Sequence, residues 1–410
     1  MKKVLLGTTA LVSVGMVAGQ ASAAEPIELS LGGYHNWAVF YTDNDDAPPS
    51  ATNPFGEPGF NKGDHDIKFD GELQVKGKTV LDNGLEVGVR IEIEGETQGD
   101  QLDENYAYIE GSFGTFRIGN DDPASAQMAT AAPYINYLFA SNSPSVFTNG
   151  LSQYFSGTGR TFLGAGYATF ATFPNQTGDD ASLMYFSPVF NGFQFGVSYA
   201  VDNHEARPAT VYVLPSRTIL LGTAGSTSPA FTHGEVYSAG LRYDGEIGDF
   251  GLTVAGGYLQ ANKKGYTGGS VLIPNTFNVN SEQWDVGAVI YYGNWGFGGS
   301  YMGVDDWRNV QGTDSWAADV GLSYWSDGAW SAGIYYLHQE ISYNAALTTA
   351  VAGITTPNDD EFDSYRLLGQ YDLGPGVSVT GAVGFEQFDD GWVNQTFDTT
   401  FVGAGLLLSF

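Results

Sequence analysis

The amino-acid sequence predicts an all-β protein, a transmembrane antiparallel β-barrel of about sixteen strands with a long third loop folded into the lumen. Three observations predict this class. Apolar and polar residues alternate in segment after segment, which is the period of a strand with two unlike faces. Short turns alternate with long connections along the chain. One connection, about 120–180, is far longer than an ordinary loop and needs a specific role.

The first residues predict a cleaved signal peptide over 1–23. Lys2 and Lys3 form its positive start, an apolar run covers 4–18, and small residues of the cleavage-site type occupy 21–23. The apolar run is shorter than the roughly twenty residues that a spanning helix needs. We therefore expect cleavage after Ala23 or Ala24, and a single barrel domain over 24–410.

The strand pattern is clearest just after the hairpin signal Asn83-Gly84, a dipeptide that favours tight β-turns. One face of that strand carries Leu85, Val87, Val89, Ile91 and Ile93, and the other carries Glu86, Arg90, Glu92 and Glu94. The same alternation recurs at 29–41, 67–76, 193–199, 316–324 and 377–385. Each of these segments predicts a strand with one apolar and one wet face.

The arrangement of connections separates a membrane barrel from a soluble β-sandwich, propeller or adhesin. Turns at one end are very short, whereas connections at the other end are long: 42–65, 120–180, 202–234, 261–280 and 342–360. Aromatic residues also cluster near the strand ends. Both features are typical of outer-membrane barrels, in which closure of the sheet leaves no unpaired edge in lipid.

Composition limits the possible partners and chemistry. The chain has no cysteine, which excludes disulfides and thiolate chemistry. Its formal net charge is −30, so nucleic acid is not an expected partner, because phosphate binding needs basic patches. Only 15% of residues are charged, and 56 are glycine.

The long connection 120–180 has an unusual composition for a loop. It contains ten aromatic residues, and Arg160 is the only charged residue between Pro123 and Gly178. So much apolar surface needs something to pack on, which argues against disorder. We therefore predict that this loop folds back inside the barrel.

Two internal stretches and the last strand resemble a known family. Tyr108–Gly119 and Tyr185–Tyr199 are similar to the fourth-to-fifth and sixth-to-seventh strand hairpins of the general trimeric porins of Gram-negative bacteria. The chain ends on alternating Leu406, Leu408 and Phe410, which resembles the signal read by the outer-membrane assembly machinery. Strand number and loop order resemble the same family over the whole mature chain.

The resemblance implies a water-filled channel in the cell outer membrane that forms a homotrimer through strands one to five and sixteen. In that family, acids on the third loop face a basic cluster on the wall of the pore. The implied wall residues are Arg90, Arg117, Lys68 and Lys76, and the implied loop acids are Asp121 and Asp122, with Asp179 and Asp180 at the far end. The loop is otherwise neutral, which departs from the family pattern.

Further lining residues follow from the strand register and the loop composition. Arg242 and Arg366 fall on inward faces of later strands, and we expect them to line the pore opposite the loop. Charge on a lipid-facing position would cost roughly 2–4 kcal/mol at the bilayer midplane. The loop aromatics either anchor the loop to the wall or, as with Tyr134, Tyr137 or Tyr154, line the constriction.

Acidic clusters lie in or beside the long connections, at 43–46, 305–306, 359–361 and 389–390. They are either solvated loop acids or loose Ca²⁺ or Mg²⁺ ligands that bridge to lipopolysaccharide phosphates. No resident cofactor is expected, and protein metal ligands stay unknown. The five histidines, at 35, 65, 204, 233 and 338, have no metal-ligand spacing.

These features predict passive diffusion of ions and small hydrophilic solutes, with cations preferred because acids are in excess. A porin that prefers a neutral ring compound such as a sugar is the alternative, suggested by the loop aromatics. An enzyme on a barrel is a third class, but no G-x-S-x-G or other nucleophile motif occurs. We therefore predict that the protein is not an enzyme.

Overall fold

The computed structural model describes residues 12–13, 26–44, 65–95, 102–140, 172–175, 178, 180–201, 211–213, 219–221, 233–263, 279–309, 311–344, 358–391 and 395–410. Apart from Val12–Ser13, the predicted signal peptide lies outside these residues. No helix in the described part of the chain is long and apolar enough to cross a membrane.

The described chain is almost entirely β-structure, and sixteen of its strands form the wall of a closed barrel. In chain order these wall strands are β2 (Glu28–Asn44), β3 (His65–Val80), β4 (Glu86–Glu94), β5 (Leu102–Gly111), β6 (Gly114–Asn120), β7 (Ala181–Phe186), β8 (Phe193–Ala200), β11 (His233–Ile247), β12 (Phe250–Lys263), β13 (Ser281–Tyr292), β14 (Trp295–Asp305), β15 (Asp314–Trp325), β16 (Trp330–Ser342), β17 (Asp360–Gly374), β18 (Val377–Asp390) and β19 (Gln395–Ser409).

Four short elements complete the described structure. They are β1 (Val12–Ser13), the hairpin strands β9 (Val211–Val213) and β10 (Ile219–Leu221), and the helix α1 (Ala124–Met128). A 3₁₀ turn also spans Trp307–Asn309. β1 pairs with β2 at Leu31 and Ser30, a part of the β2 edge that β19 does not reach.

Every wall strand pairs antiparallel with its neighbours. The first and last wall strands meet in register, with Leu406 of β19 opposite Trp37 of β2. Across the connection that contains β9 and β10, β8 pairs with β11, Tyr199 opposite Tyr237. The ring of hydrogen bonds is therefore complete, which confirms the predicted closed antiparallel barrel.

The alternation of the sequence decides which face of each strand points outward and which points into the barrel. On β4, Val89 is 43% exposed on the outside, whereas Glu92 is 3% exposed on the inside.

Outward aromatic rings gather in two belts. The belt at the turn end includes pairs such as Phe250–Tyr292 and Trp295–Tyr324, and the belt at the loop end includes Trp284–Tyr301 and Tyr336–Tyr365. Two aromatic belts that flank an apolar band are typical of an outer-membrane barrel.

The two ends of the barrel differ in the length of their connections. Adjacent wall strands are joined by tight turns at one end, as at 112–113, 248–249, 293–294 and 375–376. Gly84, with φ of 80°, occupies the left-handed region in the β3–β4 turn, which favours glycine. The C-terminus lies at this end too, where Phe410 and Gly33 exchange backbone hydrogen bonds of 3.0 and 3.1 Å.

The packed core lies inside the barrel, between the wall and residues 121–140, here called the constriction segment. Leu138 and Phe139 of this segment are buried against Phe40, Leu368 and Phe401 of the wall. At the start of the segment, Ala124 and Met128 of α1 pack on Met184 and Phe186. Leu138, Phe139, Ala124 and Met128 thus lie against the inner face of the wall, and 141–171 of the predicted loop lie outside the described residues.

Candidate functional site

The constriction segment is attached to the wall by a series of hydrogen bonds that begins at α1. The backbone N–H of Ala124 donates to Ser198 Oγ at 3.0 Å, and that of Ser125 donates to Ser238 Oγ at 2.8 Å. This short helix has no side-chain cap of its own. Inward serines on β8 and β11 therefore bond N–H groups that a helix terminus leaves without an internal partner.

Asp319 on β15 is the central attachment point of the segment. Its Oδ2 accepts hydrogen bonds from the backbone N–H of Ala132 at 3.0 Å and from the Tyr134 hydroxyl at 2.7 Å. Its Oδ1 accepts from the N–H and the hydroxyl of Ser300, both at 2.7 Å. Carboxylates bond donors more strongly than neutral acceptors do, so one buried acid holds Ala132 and Tyr134 of the loop against the wall. The inward position of Asp319 was predictable, but its role was not.

Arg366 corrects a prediction, because it does not line the pore. It is only 2% exposed, and it lies beneath the constriction segment rather than opposite it. Its Nη1 donates to the carbonyls of Phe139 at 3.0 Å and Ala140 at 2.6 Å, and its Nη2 pairs with the buried Glu386. The strand register gave the correct face, but the covering loop converts this arginine into an anchor.

Inward glycines make room for the segment against the wall. A Cβ at Gly240 would lie 2.6 Å from Met128, and a Cβ at Gly403 would lie 2.7 Å from Phe139. A Cβ at Gly287 would also overlap the Thr130 carbonyl. Because contacts this short do not occur in proteins, the loop can approach β11, β13 and β19 closely only where side chains are absent.

The inner faces of β3–β6, which the described part of the loop contacts at Arg117, are here called the charged wall. Its bases are Lys68, Lys76, Lys78, Arg90 and Arg117, and its acids are Asp70, Glu72, Glu86, Glu92, Glu94, Glu104 and Glu110. Acids therefore outnumber bases on the charged wall. Arg90, Arg117, Lys68 and Lys76 all lie on the predicted inward face.

Two bases of the charged wall are paired with its acids at close range. Arg90 forms an ion pair with Glu92 on its own strand, and its Nε lies 3.4 Å from Glu104 Oε2. Lys78 Nζ lies 3.0 Å from Glu86 Oε2. Opposite charges on one wall cancel locally, so they do not produce the crossed field that separate basic and acidic walls would set up.

The loop acids also pair with this wall at the start of the segment. Arg117 Nη1 donates to Asp121 Oδ2 at 2.7 Å and to Gln127 Oε1 at 2.9 Å. Burial nevertheless raises the pKa of Asp121, against the opposing effect of Arg117. Burial raises the pKa of Asp122 to about 6, although Asn175 donates a hydrogen bond to it at 2.9 Å. Asp180 is buried, and Asp179 lies outside the described residues.

The two lysines of β3 differ in their surroundings. The Lys68 ammonium lies 5.9 Å from the centre of the Phe40 ring, near the end of the constriction segment. Lys76 stands directly opposite Arg90 in the β3–β4 register, so two positive side chains are neighbours there. Three acids, Glu72, Glu92 and Asp103, also bring carboxylate oxygens within 4.8 Å of one another beside them.

The two described tyrosines of the predicted site have different roles. Tyr134 is partly buried against Tyr335, with ring centres 4.7 Å apart, so it anchors the loop. Tyr137 is 70% exposed and extends into the lumen. Tyr154 lies outside the described residues.

Arg242, which was expected to line the pore, is bonded to the loop. Its Nη1 donates to the Ala129 carbonyl at 2.9 Å, and its Nε donates to Asp244 at 2.7 Å.

Two features at the loop end bear on other predictions. Acids near the rim bond neighbouring backbone: Asp306 accepts from the N–H of Gly312 at 2.6 Å, and Asp360 accepts from that of Gly391 at 2.8 Å. His338 Nδ1 lies 2.9 Å from Asp363 on the outward face, the kind of pair that a barrel enzyme would need. Tyr336 also donates to Asp363, at 2.6 Å, so this carboxylate contacts two side chains of β16.

A closed barrel with an apolar exterior, two aromatic belts and a charged interior narrowed by an internal loop defines a membrane channel. A family model described as Gram-negative porin matches residues 7–391, and the chain therefore belongs to the Gram-negative porin family. The membership and the fold indicate an outer-membrane diffusion channel rather than an enzyme. The recognition made from the two hairpins and the last strand is confirmed.

Individual relatives are distant. An uncharacterized protein of Rickettsia felis is 25% identical over 296 residues, which cover 60% of this chain and 67% of the relative. The outer membrane channel DcaP of Acinetobacter baumannii is similar with a TM-score of 0.58, over 96% of this chain and 100% of that chain, at 13% identity. An anion-selective porin from Comamonas acidovorans gives 0.55 over 94% and 100%, at 16% identity. At these identities the similarity shows the fold alone.

Proposed function

We propose that this protein is a passive outer-membrane pathway for ions and small hydrophilic solutes that prefers cations to anions. The excess of acids over bases on the charged wall carries this proposal. A passage with low-dielectric walls focuses that negative potential and raises the local cation concentration. The anion-selective relative shares the fold at low identity, so the preference depends on the lining residues and not on the barrel.

The experiment is a reversal potential measured across a planar bilayer that separates two concentrations of potassium chloride. A cation preference makes the more dilute side positive, because potassium crosses ahead of chloride. The preference decreases as salt rises, since the Debye length shortens from about 10 Å at 0.1 M to about 3 Å at 1 M. Anion preference would contradict the selectivity, and the absence of conductance would contradict the channel itself.

We further propose a homotrimer, with outward faces of β2–β6 and β19 as the subunit contact. The family resemblance suggests this region. The outward rings of His35 and Trp37 stack there at 5.2 Å, and Phe69 lies 5.2 Å from Trp37, which gives a broad apolar surface. Closed symmetry of three subunits is a common solution for such self-association.

Contacts with lipopolysaccharide through loosely bound Ca²⁺ or Mg²⁺ at the acidic rim also belong to this proposal. Carboxylate oxygens suit such hard cations.

Preference for a neutral ring solute is the second candidate function, and the exposed Tyr137 is the observation that favours it.

A further inference from the structure

We propose that Tyr137, Tyr291 and Trp325 form an aromatic platform that binds the ring of a neutral sugar on the turn side of the constriction. The inference rests on the proposed diffusion channel and assigns a solute class to one part of its lumen. Tyr291 and Trp325 lie on the inward faces of β13 and β15, next to the tight turns that end these strands. The platform therefore faces the short-turn vestibule.

Tyr137 is the exposed member of an otherwise buried stretch. The next two residues, Leu138 and Phe139, are 3% and 1% exposed, whereas Tyr137 is 70% exposed. Its ring centre lies 6.3 Å from that of Tyr134, which Asp319 and Tyr335 hold in place. A large ring presented to water from a fixed segment is preorganised for contact with a solute.

The two wall rings lie over a glycine that allows them to approach the sheet. A Cβ at Gly296 would stand 2.9 Å from the Trp325 ring and 3.0 Å from the Tyr291 ring. The ring centres of Tyr291 and Trp325 are 6.2 Å apart. Both side chains are partly exposed, so part of each ring remains open to the lumen. Gly296 lies between Tyr291 and Ser323 in the strand register. The hydroxyl of Tyr335, 2.6 Å from Ser323 Oγ, accepts a hydrogen bond from the backbone N–H of Ile135, two residues before Tyr137, so the loop ring and the wall rings belong to the same region of the lumen.

The polar neighbours decide the charge of the ligand. Gly251 of β12 stands opposite Tyr291, and Thr253, two residues further along, donates to Asp244 at 2.7 Å. Asp244 is also bonded to Arg242 at 2.7 Å, so this pair adds no net charge to the patch. The Asp244 side chain is 53% exposed, which leaves oxygen lone pairs free for solute hydroxyls. A sugar stacks its C–H face on aromatic rings and donates its hydroxyls to such acceptors. A charged ring would lack a net counter-charge at this patch.

The test is block of ion current through single channels in planar bilayers. Glucose and maltose are added to one side at a time, with glycerol as a polyol that has no ring face. We expect brief closures with both sugars, more frequent from the turn side, and none with glycerol. The conductance and reversal potential without sugar are recorded in the same bilayers, so that failure of the channel is distinguished from failure of the platform.

Variants separate the platform from general effects on the barrel. Tyr291→Ala should weaken sugar block about tenfold, the change that ~1.4 kcal/mol of lost contact gives. Tyr137→Ala should do the same, whereas Tyr137→Phe should retain block. Gly296→Val should also weaken it by displacing both wall rings. The matched control is Tyr292→Ala, because Tyr292 is the next residue and lies on the outward face with 56% exposure. Its sugar block should equal that of the wild type.

Two results would overturn the platform. One is a conducting wild-type channel whose current no sugar interrupts at concentrations up to 100 millimolar, about 100-fold above a millimolar affinity. The other is sugar block that survives Tyr291→Ala, Tyr137→Ala and Gly296→Val unchanged, since the binding site would then lie elsewhere in the lumen.

Discussion

The proposed ion preference depends on individual charges of the inner faces, and Arg90 is the clearest of them. It is paired with Glu92 and Glu104, so its removal exposes the charge of two acids to the lumen. A unit charge about 10 Å from a passing ion in water contributes roughly 0.4 kcal/mol, which is about a twofold change in preference.

We therefore expect Arg90→Gln to raise the cation-to-anion permeability ratio about twofold at low salt. Glu92→Gln is the matched variant of opposite sign and should lower the ratio by a similar factor. Both effects are read from reversal potentials, and both should shrink in 1 M salt because of screening. Shifts of the same sign in the two variants would contradict an electrostatic role for this pair.

The raised pKa of Asp122 predicts that the cation preference depends on pH. Its pKa is raised to about 6 by burial, and the neighbouring Asp121 and Asp103 add to that rise. Between pH 7 and pH 5 the carboxyl takes up a proton, and the cation preference should fall as this negative charge is lost. Asp122→Asn should remove this part of the pH dependence. An identical pH profile in wild type and variant would exclude Asp122 as its source.

The same pKa has a consequence for stability. A folded-state pKa above the unfolded value of 3.8 means that the folded protein binds this proton more tightly. The stabilising contribution of Asp122 is therefore complete below pH 3.8 and is lost as pH rises through about 6. Burial raises the pKa of Asp121 as well, so the contribution of Asp122 is the difference between wild type and Asp122→Asn.

At the scale of elements, the constriction segment depends on a few buried polar anchors. Arg366 joins two loop carbonyls to Glu386 in a site where both side chains are 1% exposed. Removing one partner of such a buried pair costs about 3–5 kcal/mol, because the other charge is left without compensation. Replacing both partners with apolar groups of similar volume is often neutral.

We expect Arg366→Met to lower the free energy of unfolding in urea by about 3–5 kcal/mol. The double variant Arg366→Met/Glu386→Met should recover most of that loss. Both variants should nevertheless show noisier current, because Phe139 and Ala140 have lost their donor in each. A quiet channel in the double variant would indicate that these two hydrogen bonds do not hold the loop.

At the scale of the whole molecule, the outward faces decide assembly. The proposed trimer predicts that a large outward ring on β2 matters more than an equally exposed ring far around the barrel. Trp37 and Trp284 provide this comparison, because each is 43% exposed on an outward face. Trp37→Ser should lower the temperature at which trimers dissociate in mild detergent, and Trp284→Ser should leave it unchanged. A monomeric wild type by light scattering would contradict the proposal.

Much of the barrel was predictable because the strand period is short and local. Val89 must face lipid and Arg90 the interior, since each lies next to the other on a strand of period two. The two hairpins and the alternating C-terminal strand were enough to recognise the family. The placement of Arg117, Lys68 and Lys76 on inward faces followed from the same register.

The sequence by itself determined the fold class, the face of each strand residue and the acidic excess, because these depend on alternation and composition. Only the tertiary structure decided which inward residues still face an open lumen. Arg366 and Arg242 occupy inward positions of their strands, as Arg90 does. Arg366 is nevertheless buried, and Arg242 is bonded to the loop. The physical reason is that the path of the loop depends on distant partners such as Asp319 and the inward glycines Gly240, Gly287 and Gly403. Their contacts join residues more than a hundred positions apart, and no local period in the sequence records them.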